Sequence, residues 1–173
     1  MAIIDYTYFI ADINLPTDST ALKNKLNTYI EQAQRKYLLK GLGYELYKLF
    51  IAELPTPTTQ RFTDLLTGKE YTSTYDGKLK KWTGLSNTDL ESFLAYFAAY
   101  LYSYYSQGQE SGTGMLTSLH ENGEKISPAE FQVNAYNKGV KHYNEMIDFL
   151  ISNYDTYPEL DYKIIQPINW AGI

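Results

Sequence analysis

Residues 108–128 read G-Q-E-S-G-T-G-M-L-T-S-L-H-E-N-G-E-K-I-S-P. Four glycines, a Gly-Thr-Gly, one of the chain's two histidines and a Ser-Pro pair stand between two strongly helical segments. Such residue types serve three kinds of chemistry. Backbone amides can cradle a phosphate. A histidine beside carboxylates can move a proton or hold a metal. A pliable segment can order itself against a partner.

The first two need company that the sequence does not supply. A phosphate loop of the G-x-x-x-x-G-K-[ST] kind places a lysine and a hydroxyl at the start of a helix that follows a strand. Gly108, Gly112 and Gly114 lie close together, but no Gly-Lys-Ser or Gly-Lys-Thr follows, and the preceding element is a helix. A metal centre needs several ligands at short range. His120 and His142 stand apart, there is no cysteine, and Glu121, Glu124 and Glu130 near His120 are what a solvated loop also carries. A serine nucleophile needs a sharp, rigid turn, whereas Ser111 sits among glycines with no G-x-S-x-G. The expectation is therefore no enzyme, no cofactor and no metal. A connection longer than roughly 12–15 residues is uncommon in a compact domain unless it is functional or disordered. Partner binding is the expectation for this stretch, with Gly108, Ser111, Gly112, Thr113, Gly114, Met115 and His120 as its candidate contacts.

The elements around it are helical. Asp18 or Ser19 can cap a helix whose stripe is Leu22, Leu26, Tyr29, Ile30, Ala33 and Tyr37, with Gly41 and Gly43 as stops. Leu46, Leu49, Phe50 and Leu54 mark a second helix, ended by Pro55 and Pro57. Phe62, Leu65 and Leu66 mark a third, ending at Gly68. Asp76-Gly77 predicts a two-residue hairpin turn, which would set Tyr75 opposite Lys78 and Tyr71 opposite Trp82. A lone hairpin is marginal, so Tyr71 and Trp82 are expected to meet the helices or a neighbouring subunit. A fourth helix follows a cap at Ser86 or Asn87, with Leu90, Phe93, Leu94, Phe97, Ala98 and Leu101 on one face. Tyr96, Tyr100 and Tyr104 form another face, with Tyr105 close by. The last helix opens with Ser127 as cap and Pro128 in its first turn, and runs to about Asn153. The fold class expected is mainly α. It is a bundle of about four to five helices with one short β-hairpin (about 70–82) and extended N- and C-terminal arms. It forms a single domain: an arm over 1–17, a bundle over 18–153 interrupted by the 108–126 loop, and a tail over 154–173 that carries Trp170 as a further candidate contact.

Composition narrows the partners. The 173 residues carry a formal charge of −5, which disfavours tight neutralisation of nucleic-acid phosphates. No apolar run reaches the roughly 18–20 residues of a membrane span. No basic residue precedes the apolar part of the N-terminus, so no signal peptide is expected. The chain has 18 tyrosines, a residue suited to half-buried surfaces and interfaces.

The ordered segments carry a resemblance. They are Y-L-L-K-G-L-G-Y-E-L-Y-K-L-F at 37–50, R-F-T-D-L-L-T-G-K-E-Y at 61–71 and K-K-W-T-G-L at 80–85, then a Tyr-rich helix, S-G-T-G-M at 111–115 and S-P-A-E-F-Q-V-N-A-Y-N-K at 127–138. Their order and spacing, over most of 30–155, resemble head–tail connector (adaptor, head-completion) proteins of tailed phages and prophages of gut-type bacteria. That resemblance implies a structural virion protein assembled in the host cytoplasm. It would form a ring of copies between portal and tail proteins around the DNA channel, with the isolated chain free to stay monomeric until a portal templates it. It implies no sequence-specific nucleic-acid binding and no membrane. Another phage-encoded interaction protein, for tail completion or small-scale regulation, is the alternative, also without catalysis.

Overall fold

A computed structural model describes residues 2–10, 12, 13, 15, 17–107 and 127–169. The chain is mainly helical with one antiparallel hairpin. Helix α1 (Thr20–Ala33) passes through a π turn (Gln34–Leu38) into α2 (Leu39–Leu42), making one rod. Ser19 is its cap, accepting from the Leu22 N–H. Gly43, at φ 76°, ends it. Gly41 lies inside the rod rather than at its end. Then come α3 (Tyr44–Ala52), α4 (Gln60–Thr67), β1 (Lys69–Thr72), β2 (Leu79–Trp82), α5 (Phe93–Gln107) and α6 (Pro128–Ser152). The predicted cap of α6 holds: the Ser127 hydroxyl accepts from the Glu130 N–H, with Pro128 in the first turn.

Two local expectations are corrected. Helix α5 starts at Phe93, not after Asn87. The Asn87 side chain instead ties a loop, accepting from the Glu91 N–H and donating to the carbonyls of Gly84 and Glu91. Leu90 within that loop has φ 58°, which no helix tolerates. The hairpin register also differs by two residues: Tyr71 lies opposite Lys80, and Trp82 opposite Lys69. A type I′ turn needs positive φ at both central residues. Here only Gly77 (φ 67°) has it, so the turn lengthens and closes through the Ser73 N–H on the Lys78 carbonyl. A two-residue shift preserves the faces, because side chains alternate with period two. Tyr71 and Trp82 therefore still share the inner face, as diagonal neighbours.

The core is centred on the rod, α5 and α6. Phe97 of α5 stacks on Tyr37 of the rod, with ring centroids 3.7 Å apart. Its other side meets α6 at Gly139, where an added Cβ would lie 2.9 Å from the Phe97 ring. Both terminal segments are irregular, apart from short 3-10 turns at Tyr6–Phe9 and Tyr154–Thr156, and both lie against the bundle. Ile4, Tyr8, Phe9, Ile13 and Leu15 are buried. Lifting away a fully buried side chain such as Phe9 costs about 1.5–3 kcal/mol, so these five side chains belong to this chain's own core. The Tyr157 hydroxyl donates to the Arg61 carbonyl, and Ile165 is buried, so the tail is held as well.

Gly139→Ala should test the central contact. Alanine favours a helix by about 1 kcal/mol, yet overpacking a tight core costs about 1–3 kcal/mol. The aromatic stack on the far side leaves Phe97 little room to move, so urea denaturation should show a net loss of stability. An unchanged or higher midpoint would mean that Phe97 is not pinned there.

Candidate interaction surface

Three groups of side chains could do chemistry. The first lies where the hairpin crosses α6. Asp148 accepts from the Tyr71 hydroxyl (2.9 Å), the Ser73 hydroxyl (2.8 Å) and the Lys80 ammonium (2.9 Å). Lys80 is also 3.3 Å from Ser73 Oγ, the pairing of a serine–lysine hydrolase. Here it does other work. A lysine base must be neutral, whereas the Asp148 carboxylate holds the Lys80 ammonium above its ordinary range. Ser73 is buried, with its hydroxyl committed to Asp148. Burial pushes the Asp148 carboxyl up, but Lys80, Ser73 and Tyr71 together hold it below the ordinary aspartate value. Burial, reinforced by Asp148, pushes the Tyr71 hydroxyl up, so it stays a donor. The cluster is a staple between sheet and helix.

The second group ties the N-terminal segment down. Asp12 accepts from Lys138 Nζ (2.6 Å) and from the Tyr96 hydroxyl (2.8 Å). His142 lies flat on the Tyr96 ring, centroids 5.4 Å apart, with Nδ1 3.0 Å from a Glu145 carboxylate oxygen. Lys138 is the main cause that keeps the Asp12 carboxyl low. Among the described residues no three His, Asp or Glu side chains group closely enough to hold a metal ion. Two shallow depressions, of about 390 and 420 Å³, lie at Lys36, Lys40 and Lys163 and at Lys81, Asn87 and Asp89.

The third group is a surface of tyrosines at the C-terminal end of α5. Tyr104 and Tyr105 are 58% and 52% exposed. Tyr105 stacks on Tyr29 of α1 at 6.1 Å, and Tyr102 meets Tyr29 edge-on at 5.9 Å. Tyr100 touches both Tyr104 and Tyr136 of α6. Lys25 Nζ lies 5.4 Å from the Tyr102 ring. The cause is geometric. Tyr96, Tyr100 and Tyr104 recur every four residues on α5, so the stripe runs from the buried Tyr96 to the exposed Tyr104. Rings held by one another lose little entropy on meeting a partner, which makes this surface suited to binding.

The expected contact residues are distributed differently. Tyr71 and Trp82 are not open to a partner. Trp82 is 2% exposed, donates its indole N–H to the Leu65 carbonyl and stacks on Phe149; Tyr71 meets Phe149 edge-on. Their bulk is what seats the hairpin on α6. Gly108, Ser111, Gly112, Thr113, Gly114, Met115, His120 and Trp170 lie outside the described residues. The sequence signal for the tyrosine surface was the four-residue spacing on α5. Nothing in the sequence marked Asp148 or Ser73, which meet only across the fold.

Asp148→Asn should lower stability by about 1–3 kcal/mol at neutral pH, because Lys80 and two hydroxyls lose a charged acceptor. The folded carboxyl lies below its unfolded value, so its contribution is fully present above about pH 4 and is lost as pH falls through the lower folded value. Denaturation between pH 7 and pH 2 should therefore show a steeper acid loss in the native chain than in the variant. Parallel profiles would count against the staple.

No curated protein and no solved structure matches the chain. No helix among the described residues is long and apolar enough to cross a membrane. A family model matches residues 38–165, from the rod into the C-terminal tail, and so takes in the hairpin, α5 and α6. By that match, the chain belongs to the family of unknown function DUF6712.

Proposed function

We propose that the chain is a structural subunit of a tailed-phage or prophage head–tail connector, and that it acts by assembly rather than catalysis. The observation that carries this is the tyrosine surface at the end of α5, where Tyr104 and Tyr105 stand exposed beside Tyr29 and Tyr102. Aromatic rings of this kind anchor protein interfaces. The surface adjoins the start of the 108–126 connection, whose composition suits partner binding. The connector-like order of segments along the chain supplies the kind of partner: other copies, the portal and the tail proteins. In a ring each copy presents two unlike patches that match its two neighbours. The acidic balance of the chain supports a channel through which DNA passes without adhering. Such a subunit belongs to the virion and assembles in the host cytoplasm.

Mixing the purified chain with portal should give rings visible by negative-stain microscopy. A chain that stays monomeric beside the portal would defeat the proposal. The double variant Tyr104→Ala, Tyr105→Ala should weaken portal association at least about tenfold, the scale of interface anchors, while moving Tm by only a few degrees. Deleting 108–126 should abolish assembly and leave the bundle folded; a large fall in Tm would place that segment in the core instead. Duplex DNA at low salt should bind weakly, and tight binding would contradict the channel role.

A further inference from the structure

The end of the rod and the tail enclose a basic depression of about 390 Å³, lined by Lys36, Lys40 and Lys163 with Leu39, Tyr44 and a single acid, Asp161. Backbone contacts fix its walls. The N–H groups of Asp161 and Lys163 donate to the carbonyls of Leu42 and Lys40, at 3.2 and 3.0 Å. The Tyr143 hydroxyl donates to the Lys163 carbonyl. Asp161 stands so close to Gly43 that a Cβ added there would lie 2.7 Å from it. Lys163 is thereby held beside Lys40, far from it in the chain.

Like charges brought together repel, and several lysines elsewhere in the chain are met by acids. Lys69 pairs with Asp64, Lys80 with Asp148 and Lys138 with Asp12. On the hairpin, Lys81 lies across from Glu70, and the Lys78 N–H donates to the Asp76 carboxylate. Lys36, Lys40 and Lys163 are exposed, and no carboxylate among the described residues lies within ion-pair distance of them. With Asp161 counted, these four residues carry +2 on a chain of −5, which leaves −7 on everything else. Tyr44, 65% exposed, and the half-buried Leu39 give the depression an apolar side.

We infer that this depression docks an acidic segment of a protein partner, with carboxylates on the three ammonium groups and an aliphatic side chain against Tyr44 and Leu39. Charge complementarity selects that partner. Lysine meets a carboxylate as a point charge on a flexible stem, so the acids need no strict spacing. A DNA duplex carries a charge about every 1.7 Å and rewards a long basic track, whereas here three amines surround a carboxylate. A membrane surface is flat, and this site is concave. It is also separate from the tyrosine surface. Tyr29 meets Tyr102 and Tyr105 while Tyr37 meets Phe97, so rod and α5 run antiparallel and the depression lies toward the start of α5. The docking therefore stands or falls apart from the connector proposal and needs no portal.

The probe is a fluorescein-labelled peptide of alternating Glu and Leu, with a Gln–Leu peptide as control, followed by anisotropy at low salt. The chain as a whole repels the acidic peptide, so binding reports a local basic site. The acidic peptide should bind saturably, at least about tenfold more tightly than the control, and weaken as salt rises. The triple variant Lys36→Gln, Lys40→Gln, Lys163→Gln should lose at least about tenfold in affinity with Tm within a few degrees of the native chain. The hairpin variant Lys78→Gln, Lys81→Gln should bind as the native chain does. Absence of saturable binding, equal binding of the control, or an equal loss in the hairpin variant would overturn the inference. Stronger displacement of the peptide by duplex DNA or by phosphatidylserine vesicles than by unlabelled peptide would overturn the choice of a protein partner.

Discussion

The fold depends on how closely α5 approaches α6. Phe97 fills the space between Tyr37 and the bare backbone of Gly139, with Tyr136 and Phe93 edge-on to it. A ring wedged between another ring and a helix backbone leaves no slack. Close packing of that kind converts small volume changes into strain. It fixes the separation of rod, α5 and α6, and that separation sets where the tyrosine stripe of α5 leaves the interior.

Tyrosine then serves two ends. Buried rings use their hydroxyls as tethers. Tyr8 exchanges bonds with the Asn87 backbone, Tyr96 holds Asp12, Tyr143 holds the tail at Lys163, and Tyr157 holds α4 at Arg61. A leucine in the same place would bury similar area but hold nothing. Exposed rings at the end of α5 have bundle neighbours on one side and solvent on the other. One residue type thus closes the terminal segments onto the core and supplies a surface for partners.

The Asp148 staple solves a different problem. Two four-residue strands cannot stand alone. Trp82 and Tyr71 give the sheet an apolar face against Phe149, and Asp148 fixes its position through three donors. The hairpin is thereby a rigid projection, with an outer edge that no described residue covers. Rigidity of that kind lowers the entropy lost on association.

The helices were legible because their period is written in the residues: the stripe from Leu22 to Tyr37, the Ser127-Pro128 start of α6, the proline stops after α3. The hairpin was legible for a similar local reason, and its faces survived a register error because the period is two. The true turn was not legible, since Asp76-Gly77 permits a tighter turn than the one formed once Ser73 and Thr74 bond to α6. The start of α5 was misplaced because Asn87 can cap a helix or pin a loop, and the packing of Tyr8 against it decides. Burial of Trp82, the Asp148 cluster and the seating of the tail on the end of the rod all join residues far apart in the chain. By itself the sequence determined the period and the ends of most helices, which are set by near neighbours. Only the tertiary structure decided which tyrosines face solvent and which backbone edges stay open, because both depend on what packs from elsewhere.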